Sequence, residues 1–538
     1  MIAYMNLSWY FMFFATLVLI FALYCAEPQL KIIDQLRENG KAVVLAVILV
    51  ILGFIASPPD FRILADETNL LGVSQYMHET MRCVLPLEAL YYYHGMKTIL
   101  SEKIEMRPPA YPFVLSLVHN VIGYRPANAF ILNGVLAWLI LILLFLMIDS
   151  REKGLWGYIA MIALASFPVF VQYFTSAGFE TFNLAMIMLT FFLLDRYLEH
   201  KSVWLSVAVI ASLILVSHSR YESVLTLISV VPVLLYFLPD DATADWREKI
   251  VFAFPIFLLP ALWLRTLTWE AARFQVDQIE KAFGLSNVWP NLKGFVLFFL
   301  SGKSQKFAGP VLTLLAMVGL ILLIEKLWNM KLLREYRWMS ISMISCAVFH
   351  ALARLFYSSG NLMSPYTSRL AIVFLPGIVA LAITGMRRIE RNSKYANIAP
   401  AVLILACCLL ITSWPVASAN EGVRELIVFR EFKWARSILE KHDVGEDSII
   451  VSDRPNMYIP LNYSAITFDR AAMMAEQLEK MLKIKSYSRI IAVQHINYRK
   501  SEPEEALPQN LMQLKATVLF ESQLTPAHFI RITEFQVP

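Results

Sequence analysis

The chain has 538 residues, of which 58% are apolar and only 17% are charged, and its mean hydropathy is +0.56. This composition excludes an ordinary water-soluble globule, because too few charged side chains are present to cover a surface of that size. The net charge of +5 comes from short Lys and Arg clusters between long uncharged stretches, a pattern typical of membrane loops and not of a nucleic-acid-binding face. We therefore predict a multi-pass protein of the lipid bilayer without a nucleic-acid partner.

In chain order, the apolar stretches predict about twelve transmembrane helices, since one span needs about 20 mostly apolar residues. Their approximate ranges are 8–26, 42–58, 127–148, 155–174, 181–197, 203–218, 222–238, 250–267, 309–325, 339–357, 370–386 and 398–415. With these helices, every Lys and Arg cluster falls on one side of the membrane, which is then the cytoplasmic side. The first outer loop and the C-terminal segment are predicted to face outside, the periplasm of a bacterium.

The predicted fold class is a polytopic α-helical membrane protein with a small C-terminal α/β extramembrane domain. Residues 1–415 form the predicted transmembrane catalytic domain, with a first outer loop of about 58–126, and residues 416–538 form the soluble domain. In that domain ELIVFREFKWARSILEKH and AAMMAEQLEKML have helical spacing, whereas SIIVSD, SRIIAVQH, ATVLFES and HFIRITEF are typical of strands. AYPFVLSLVHNVIGY in the first loop is too short for a span and favours a re-entrant or interfacial helix.

Two adjacent acids, Asp66 and Glu67, follow the second predicted helix by only a few residues. Carboxylates that close to hydrocarbon are costly to ionise, and a raised pKa would suit a general base acting on an acceptor hydroxyl. The alternative is structural: Asp66 could cap a short surface helix with Glu67 in its first turn. The dipeptide alone favours the structural role.

Further along the loop, EMRPPAYP places Arg107 between Glu105 and Tyr111, where prolines interrupt regular structure. The forked donors of a guanidinium suit a phosphate group. Ordinary anchoring of Arg among lipid headgroups is the alternative.

More charged residues lie at the outer ends of later predicted helices. SAGFETFN contains Glu180, SHSRYES contains Arg220 beside Glu222, and Arg369 follows the polar loop SSGNLMSPYTS. Charges so close to a bilayer are functional candidates, although an ion pair between Arg220 and Glu222, or snorkelling to the interface, explains them equally well. The chain has no P-loop, HExxH, GxSxG or CxxC motif, which argues against ATP-driven pumps and common hydrolases.

Taken in order, the acid pair in DET, the RPPAYP segment, the apolar run ending in GY, the later acid in GFET and the stretch SRLAIVFLPGIVALAITGM resemble a known family. Over about residues 42–390 the chain is similar to the polyprenyl-phosphate-sugar glycosyltransferases of GT-C fold, the superfamily of protein O-mannosyltransferases and the lipid A aminoarabinose transferase. The resemblance implies inverting transfer of a hexose or pentose from a polyprenyl-phosphate sugar donor. The acceptor would be a glycolipid, a polysaccharide or a protein, and the site would face outward from a bacterial inner membrane.

The resemblance also implies roles for single residues. The catalytic candidates are Asp66 and Glu67, the donor-phosphate candidates are Arg107, Arg220 and Arg369, and the substrate-orienting candidates are Glu180, Glu105 and Tyr111. The chain departs from the family pattern where Met106 separates the acid from Arg107 and where Glu replaces the commoner Asp at position 180. These departures argue against a metal bridge between loops; no metal ligand is assigned and no cofactor is certain, while a divalent metal is left open.

A transporter of lipid-linked sugars or oligosaccharides is the alternative from another functional class. A transporter would place ionisable groups near the middle of the membrane, on broken helices and often in paired repeats. Here the acids lie at the outer ends of loops and the sequence shows no internal repeat. The pattern therefore favours the glycosyltransferase.

Overall fold

The computed structural model of the protein describes residues 2–92, 96–105, 107–149, 154–237, 283–329, 334–364, 366–392, 398–418, 427–445, 447–497, 514–525 and 528–536. The chain divides into two compact units. The helical unit comprises residues 1–60, 106–114 and 129–420. The sheet unit comprises residues 61–105, 115–128 and 421–538.

Helices make up most of the described chain. They are α1 (Ile2–Leu30), α2 (Ile32–Glu38), α3 (Gly40–Ala56), α4 (Leu64–Thr80), α5 (Ala110–Ile122), α6 (Asn128–Asp149), α7 (Trp156–Ala165), α8 (Pro168–Phe174), α9 (Glu180–His200), α10 (Val203–Ser217), α11 (Val224–Tyr236), α12 (Val288–Leu300), α13 (Ala308–Trp328), α14 (Arg334–Phe356), α15 (Leu375–Asn392), α16 (Ala399–Ser418), α17 (Ile427–Lys441), α18 (Phe468–Met473) and α19 (Ala475–Lys483). The 3-10 turns are Tyr221–Ser223, Leu285–Asn287, Ser368–Phe374, Pro455–Met457 and Ile459–Leu461. The strands are β1 (Val84–Tyr92), β2 (Met96–Ile104), β3 (Ser448–Val451), β4 (Ser464–Ile466), β5 (Arg489–Asn497), β6 (Lys515–Thr525) and β7 (His528–Gln536).

Each predicted transmembrane helix overlaps helical residues of the structure, except the one at 250–267, which lies outside the described residues. The single helix predicted at 155–174 is two helices, α7 and α8. By length and composition, 6 of the described helices are able to cross a membrane, or up to 8 if each of two bent pairs is one span. Helices α10 and α11, with 15 and 13 residues, are shorter than a full span. The polytopic helical class is therefore confirmed, whereas the number of about twelve spans is not.

Local sequence explains how the helices bend and approach each other. Pro168 begins α8, and a residue before proline avoids the helical region, so Phe167 is extended and α7 and α8 meet at a 74° bend. Gly319 and Gly385 let α13 and α15 pack closely, because a Cβ at Gly319 would lie 1.9 Å from the carbonyl oxygen of Leu381. Small residues at helix contacts are the usual device for close packing in membranes.

The sheet unit contains a seven-stranded mixed sheet in the order β2-β1-β4-β3-β5-β7-β6. Strand β3 pairs parallel with both β4 and β5, and the outer pairs are antiparallel. Its core contains Ile449, Val451, Ile490 and, from a covering helix, Leu478. The predicted helices and strands of the C-terminal α/β domain are confirmed.

The sequence analysis did not anticipate that the first loop supplies two strands of this sheet. The β1–β2 hairpin joins β4 through the antiparallel pairing of Ala89 with Ala465. Next to that pairing, the buried carboxylate of Glu88 accepts hydrogen bonds from Thr467 Oγ1 at 2.6 Å, the Thr467 backbone N–H at 3.0 Å and Arg470 Nε at 3.0 Å. The first loop and the C-terminal segment thus share one hydrophobic core.

Candidate active site

The acid pair lies in the first turn of α4, in the sheet unit. Glu67 is 1% exposed, and its Oε1 accepts hydrogen bonds from the backbone N–H groups of Ile63 at 2.9 Å and Arg62 at 3.1 Å. These bonds satisfy donors at the start of the helix that otherwise have no intrahelical partner. The capping role therefore belongs to Glu67, and Asp66 is the half-buried acid beside it.

Helix α4 is held in place by the C-terminal part of the sheet unit. Asn69, one turn beyond Asp66, accepts a 2.7 Å hydrogen bond from Asn456 Nδ2. A turn and a half further along, Gln75 Nε2 donates to Tyr91 Oη at 3.1 Å. The element that carries Asp66 is therefore packed on both the hairpin and the 3-10 turns around residue 456.

The three candidate residues of the EMRPPAYP segment, Glu105, Arg107 and Tyr111, lie in different surroundings. Glu105 is 2% exposed just after β2, where burial and the Glu105 charge raise the pKa of the Cys83 thiol. Arg107 is half-buried at the bend between β2 and α5. Tyr111 is fully buried in the helical unit, and its hydroxyl donates to the carbonyl oxygen of Ala177 at 3.0 Å. Tyr111 thus fixes the turn that leads to Glu180.

The helical unit contains five charged side chains that pair in alternation. We call them the ion row: Arg369, Glu180, Arg220, Glu222 and Arg354. Glu180 Oε1 lies 2.6 Å from Arg220 Nη1 and 3.0 Å from Arg369 Nη1. Glu222 Oε1 lies 2.8 Å from Arg220 Nε and is also paired with Arg354 Nη2. Of the predicted site residues, the structure brings together Glu180, Arg220 and Arg369, and the ion pair of Arg220 with Glu222 that was the structural alternative for these charges is present.

Helix ends place two of these charges, Glu180 and Arg354, where the backbone favours them. Glu180 begins α9, where the positive end of the helix dipole stabilises a carboxylate, and Arg354 lies in the last turn of α14, where the negative end stabilises a cation. Arg220 precedes the short turn before α11, and Arg369 lies in the turn before α15. Four separate chain segments therefore converge on one buried cluster.

Neutral polar residues fix the backbone around the ion row. Asn133 Nδ2 donates to the carbonyl oxygens of Ser176 and Gly178, at 2.7 and 2.8 Å. Asn183 Oδ1 accepts hydrogen bonds of 2.5 Å from the hydroxyls of Ser219 and Ser223, which flank Arg220. The turn before Glu180 and the segment carrying Arg220 are thus both held by asparagine side chains.

Counted over its own five side chains, the ion row has three guanidinium groups and two carboxylates, one more cation than anions, and Glu180, Arg220 and Arg354 are 1%, 6% and 7% exposed. A buried excess charge is expensive unless a counter-charge approaches it. The side chains next to Glu180 therefore suit an anion. They do not fit a divalent metal, because two guanidinium groups already pair with Oε1 of its carboxylate, and no group of three metal-ligating side chains lies together among the described residues.

Arg354 is the member of the ion row that the sequence analysis missed. It lies inside the apolar stretch predicted as the helix 339–357, four residues after His350. The sequence did contain a signal for Arg354, because a basic residue within a membrane helix is a functional candidate by default. Arg354 lies near the end of that helix, where a basic residue is also common as an interfacial anchor.

Comparisons with known proteins give one family match and similar solved structures. A family model described as dolichyl-phosphate-mannose-protein mannosyltransferase matches residues 106–269. Among solved structures, ArnT from Cupriavidus metallidurans bound to undecaprenyl phosphate has a TM-score of 0.53 at 11% identity, covering 92% of this chain and 98% of that chain. Its apo state has a TM-score of 0.52 at 10% identity, with coverages of 92% and 98%. No curated protein sequence matches this chain at a significant level.

The chain has a GT-C glycosyltransferase fold. The predicted resemblance is confirmed, since the similarity extends over nearly the whole of both chains. The family model describes a mannosyltransferase over residues 106–269, and the similarity to ArnT shows the fold. The stretch of the GT-C chain matched by the family model contains Arg107, Tyr111, Glu180 and Arg220.

Proposed function

We propose that the protein transfers a sugar from a polyprenyl-phosphate-linked donor to an acceptor hydroxyl, with inversion at the anomeric carbon, at the outer face of a bacterial inner membrane. The observation that carries the proposal is the cationic ion row buried in a GT-C fold. An excess positive charge in an apolar bundle favours binding of an anionic headgroup such as a lipid phosphate. The ArnT structure with undecaprenyl phosphate shows that a protein of this fold binds such a lipid.

The donor is already activated, because the lipid phosphate is a good leaving group, so a nucleotide site is not required. In the proposed step, Asp66 takes the proton of the acceptor hydroxyl and the acceptor oxygen forms a bond to the anomeric carbon. The bond from that carbon to the phosphate oxygen breaks, and its electron pair remains on the phosphate. Arg107, Arg220 and Arg369 stabilise the charge that develops there.

Glu180 has a defined part in this proposal. Its Oε1 is occupied by two guanidinium groups, whereas its buried Oε2 has no hydrogen-bond donor among the described residues. A buried carboxylate oxygen without a donor is unfavourable, so a hydroxyl of a bound sugar would be a favourable partner. Glu180 therefore orients substrate, the role also predicted for Glu105 and Tyr111, and the Tyr111 hydroxyl holds the carbonyl oxygen of Ala177 in the turn before Glu180. The acceptor is a glycolipid, polysaccharide or protein hydroxyl.

The experiment is sugar transfer from a panel of radiolabelled polyprenyl-phosphate monosaccharides by the purified protein in proteoliposomes. We expect one donor to be turned over, and Asp66→Asn to reduce that turnover by about 10²- to 10⁴-fold, the usual contribution of a general base. The matched control is Asp34→Asn, an exposed acid on α2, which should retain full activity.

A second control separates catalysis from folding. Glu67→Ala removes the cap of α4 and should lower the thermal unfolding midpoint, whereas Asp66→Asn should leave that midpoint near the wild-type value. Full activity of a folded Asp66→Asn variant would overturn the base assignment. Movement of labelled donor across the vesicle without any transfer would instead favour the transporter.

A further inference from the structure

We propose that Glu222 and Arg354 are positioning residues that hold the Arg220 guanidinium in the orientation required for the donor phosphate. This inference rests on the proposed function and extends it to two side chains that do not themselves contact substrate. It starts from the geometry around Arg220, which is held on three sides.

Two edges and one face of the Arg220 guanidinium are occupied. Nη1 donates to Glu180 Oε1 at 2.6 Å, Nε lies 2.8 Å from Glu222 Oε1, and the ring of Phe179 lies 4.5 Å from the central carbon. Nε forms an ion pair with Glu222 but no hydrogen bond among the described residues, so Glu222 acts on it through charge. The orientation of the guanidinium is therefore set by Glu180, Glu222 and Phe179.

Glu222 is held by a second arginine as well as by Arg220. Its Oε1 is shared between Arg220 and Arg354, and the adjacent Ser223 hydroxyl donates to Asn183 at 2.5 Å. Glu222 has a side chain only 11% exposed, so its carboxylate depends on these two cations for compensation.

Arg354 is anchored through its backbone. Asn291 Nδ2 donates to the Arg354 carbonyl oxygen at 3.1 Å and to that of Tyr357 at 2.7 Å. Gly360 packs against the same carbonyl, and a Cβ there would lie 1.8 Å from it. The end of α14 thus provides a rigid support from which Arg354, Glu222 and Arg220 are oriented in turn.

A positioning role for Glu222 and an effect of net charge alone predict opposite changes in anion binding for the substitution Glu222→Gln. Glu222→Gln removes a negative charge and leaves the ion row more positive, so an effect of net charge alone would strengthen binding of an anion. If Glu222 instead orients Arg220, the same substitution lets the Arg220 side chain adopt other rotamers. Binding of the anion must then fix that side chain again, and the lost conformational entropy weakens binding. The direction of the change therefore distinguishes the two explanations.

The experiment measures binding of radiolabelled undecaprenyl phosphate to the full-length protein in phosphatidylcholine nanodiscs, together with KM and kcat for the donor found above. We expect Glu222→Gln to weaken binding by about tenfold and to raise KM more than it lowers kcat. Arg220→Gln should also weaken binding, and the double variant should bind no more weakly than Arg220→Gln alone, because Glu222 acts through Arg220. A general loss of structure would not produce that non-additivity.

The matched control is Glu199→Gln, which removes the acid of a surface pair with Arg196 at 3.0 Å on α9 and should leave binding unchanged. If Glu222→Gln does not fold, Glu222→Asp keeps the charge but shortens the side chain, and it should also weaken binding. Unchanged or tighter binding by a folded variant overturns the positioning role while leaving the proposed function intact. Failure of the wild type to bind undecaprenyl phosphate would overturn both.

Discussion

At the scale of single residues, the position of Glu180 depends on Gly178, which has no side chain. A Cβ added at Gly178 would lie 2.3 Å from Glu180 Oε2. A free carboxylate would move aside, but this one is held by Arg220 and Arg369 at 2.6 and 3.0 Å. We predict that Gly178→Ala displaces Glu180 and lowers sugar transfer by about tenfold, equivalent to about 1.4 kcal/mol of transition-state stabilisation.

Transfer assays on the Gly178→Ala protein test this, with Gly377→Ala as the matched control. A Cβ at Gly377, in α15, would meet nothing within 4 Å, so that substitution should leave activity unchanged. Equal activities of the two variants would show that the carboxylate has room to move, and the constraint we ascribe to the ion row would be wrong.

The same residues show what the sequence could reveal about the site. Glu180, Arg220 and Arg369 were each identifiable as charges beside a membrane, yet their pairing joins positions 40 and 189 residues apart. Nothing in the spacing of a single sequence encodes such contacts between different helix ends. The sequence also does not show which acid of the pair caps α4. Only the hydrogen bonds from the backbone show that this acid is Glu67.

At the scale of elements, Glu88 joins the first-loop hairpin to the C-terminal strands. Burial raises the pKa of this carboxyl, but hydrogen bonds from Thr467 and Arg470 outweigh burial, and the net pKa is lowered. A lowered carboxyl pKa stabilises the fold above the unfolded-state pKa of about 4.3, and that stabilisation is lost as the pH falls through the folded-state pKa. We therefore predict that the pairing of β1 with β4 weakens in acid.

Hydrogen exchange of the β1 amides between about pH 6 and pH 3 tests this prediction, after correction for the intrinsic pH dependence of exchange. The wild type should lose protection below about pH 4, whereas Glu88→Gln should be less protected at neutral pH and nearly insensitive to acid. Glu521→Gln is the control, because its 2.6 Å pair with Arg531 is about one-third exposed and contributes little. The same acid sensitivity in Glu88→Gln would contradict the assignment.

The elements themselves differed in how far sequence could predict them. Long apolar helices and the alternating or apolar strands after residue 447 carry a local periodicity, and the structure contains them where predicted. Strands β1 and β2 pair with each other locally, but the attachment of β1 to the C-terminal sheet could not be predicted, because its partner is remote, as the 373-residue separation between Tyr91 and Ser464 illustrates. Strand β4, with only three residues, is too short to give a periodic signal.

At the scale of the whole molecule, the ion row lies at one end of the helices that carry it, and the turns rich in Lys and Arg lie at the other end. Helix α9 has 21 residues, enough for about 30 Å at 1.5 Å per residue, and joins Glu180 at its start to Lys201 just beyond its end. Helix α10 then returns toward Arg220. Because Lys and Arg concentrate in cytoplasmic loops, we infer that Lys201 is cytoplasmic and that Glu180 and Arg220 are at the outer face.

This inference gives a prediction for the chain end as well. The basic stretch at 387–394 precedes α16, so the C-terminal segment should emerge on the outer face. Alkaline phosphatase fused after residue 538 should be active and green fluorescent protein fused there should be dark in a bacterial host, because each reporter folds on one side only. Fusions after residue 201 should give the reverse pattern. Fluorescence from the C-terminal fusion would place the sheet unit in the cytoplasm, and Asp66 could then no longer be the base for an acceptor at the outer face.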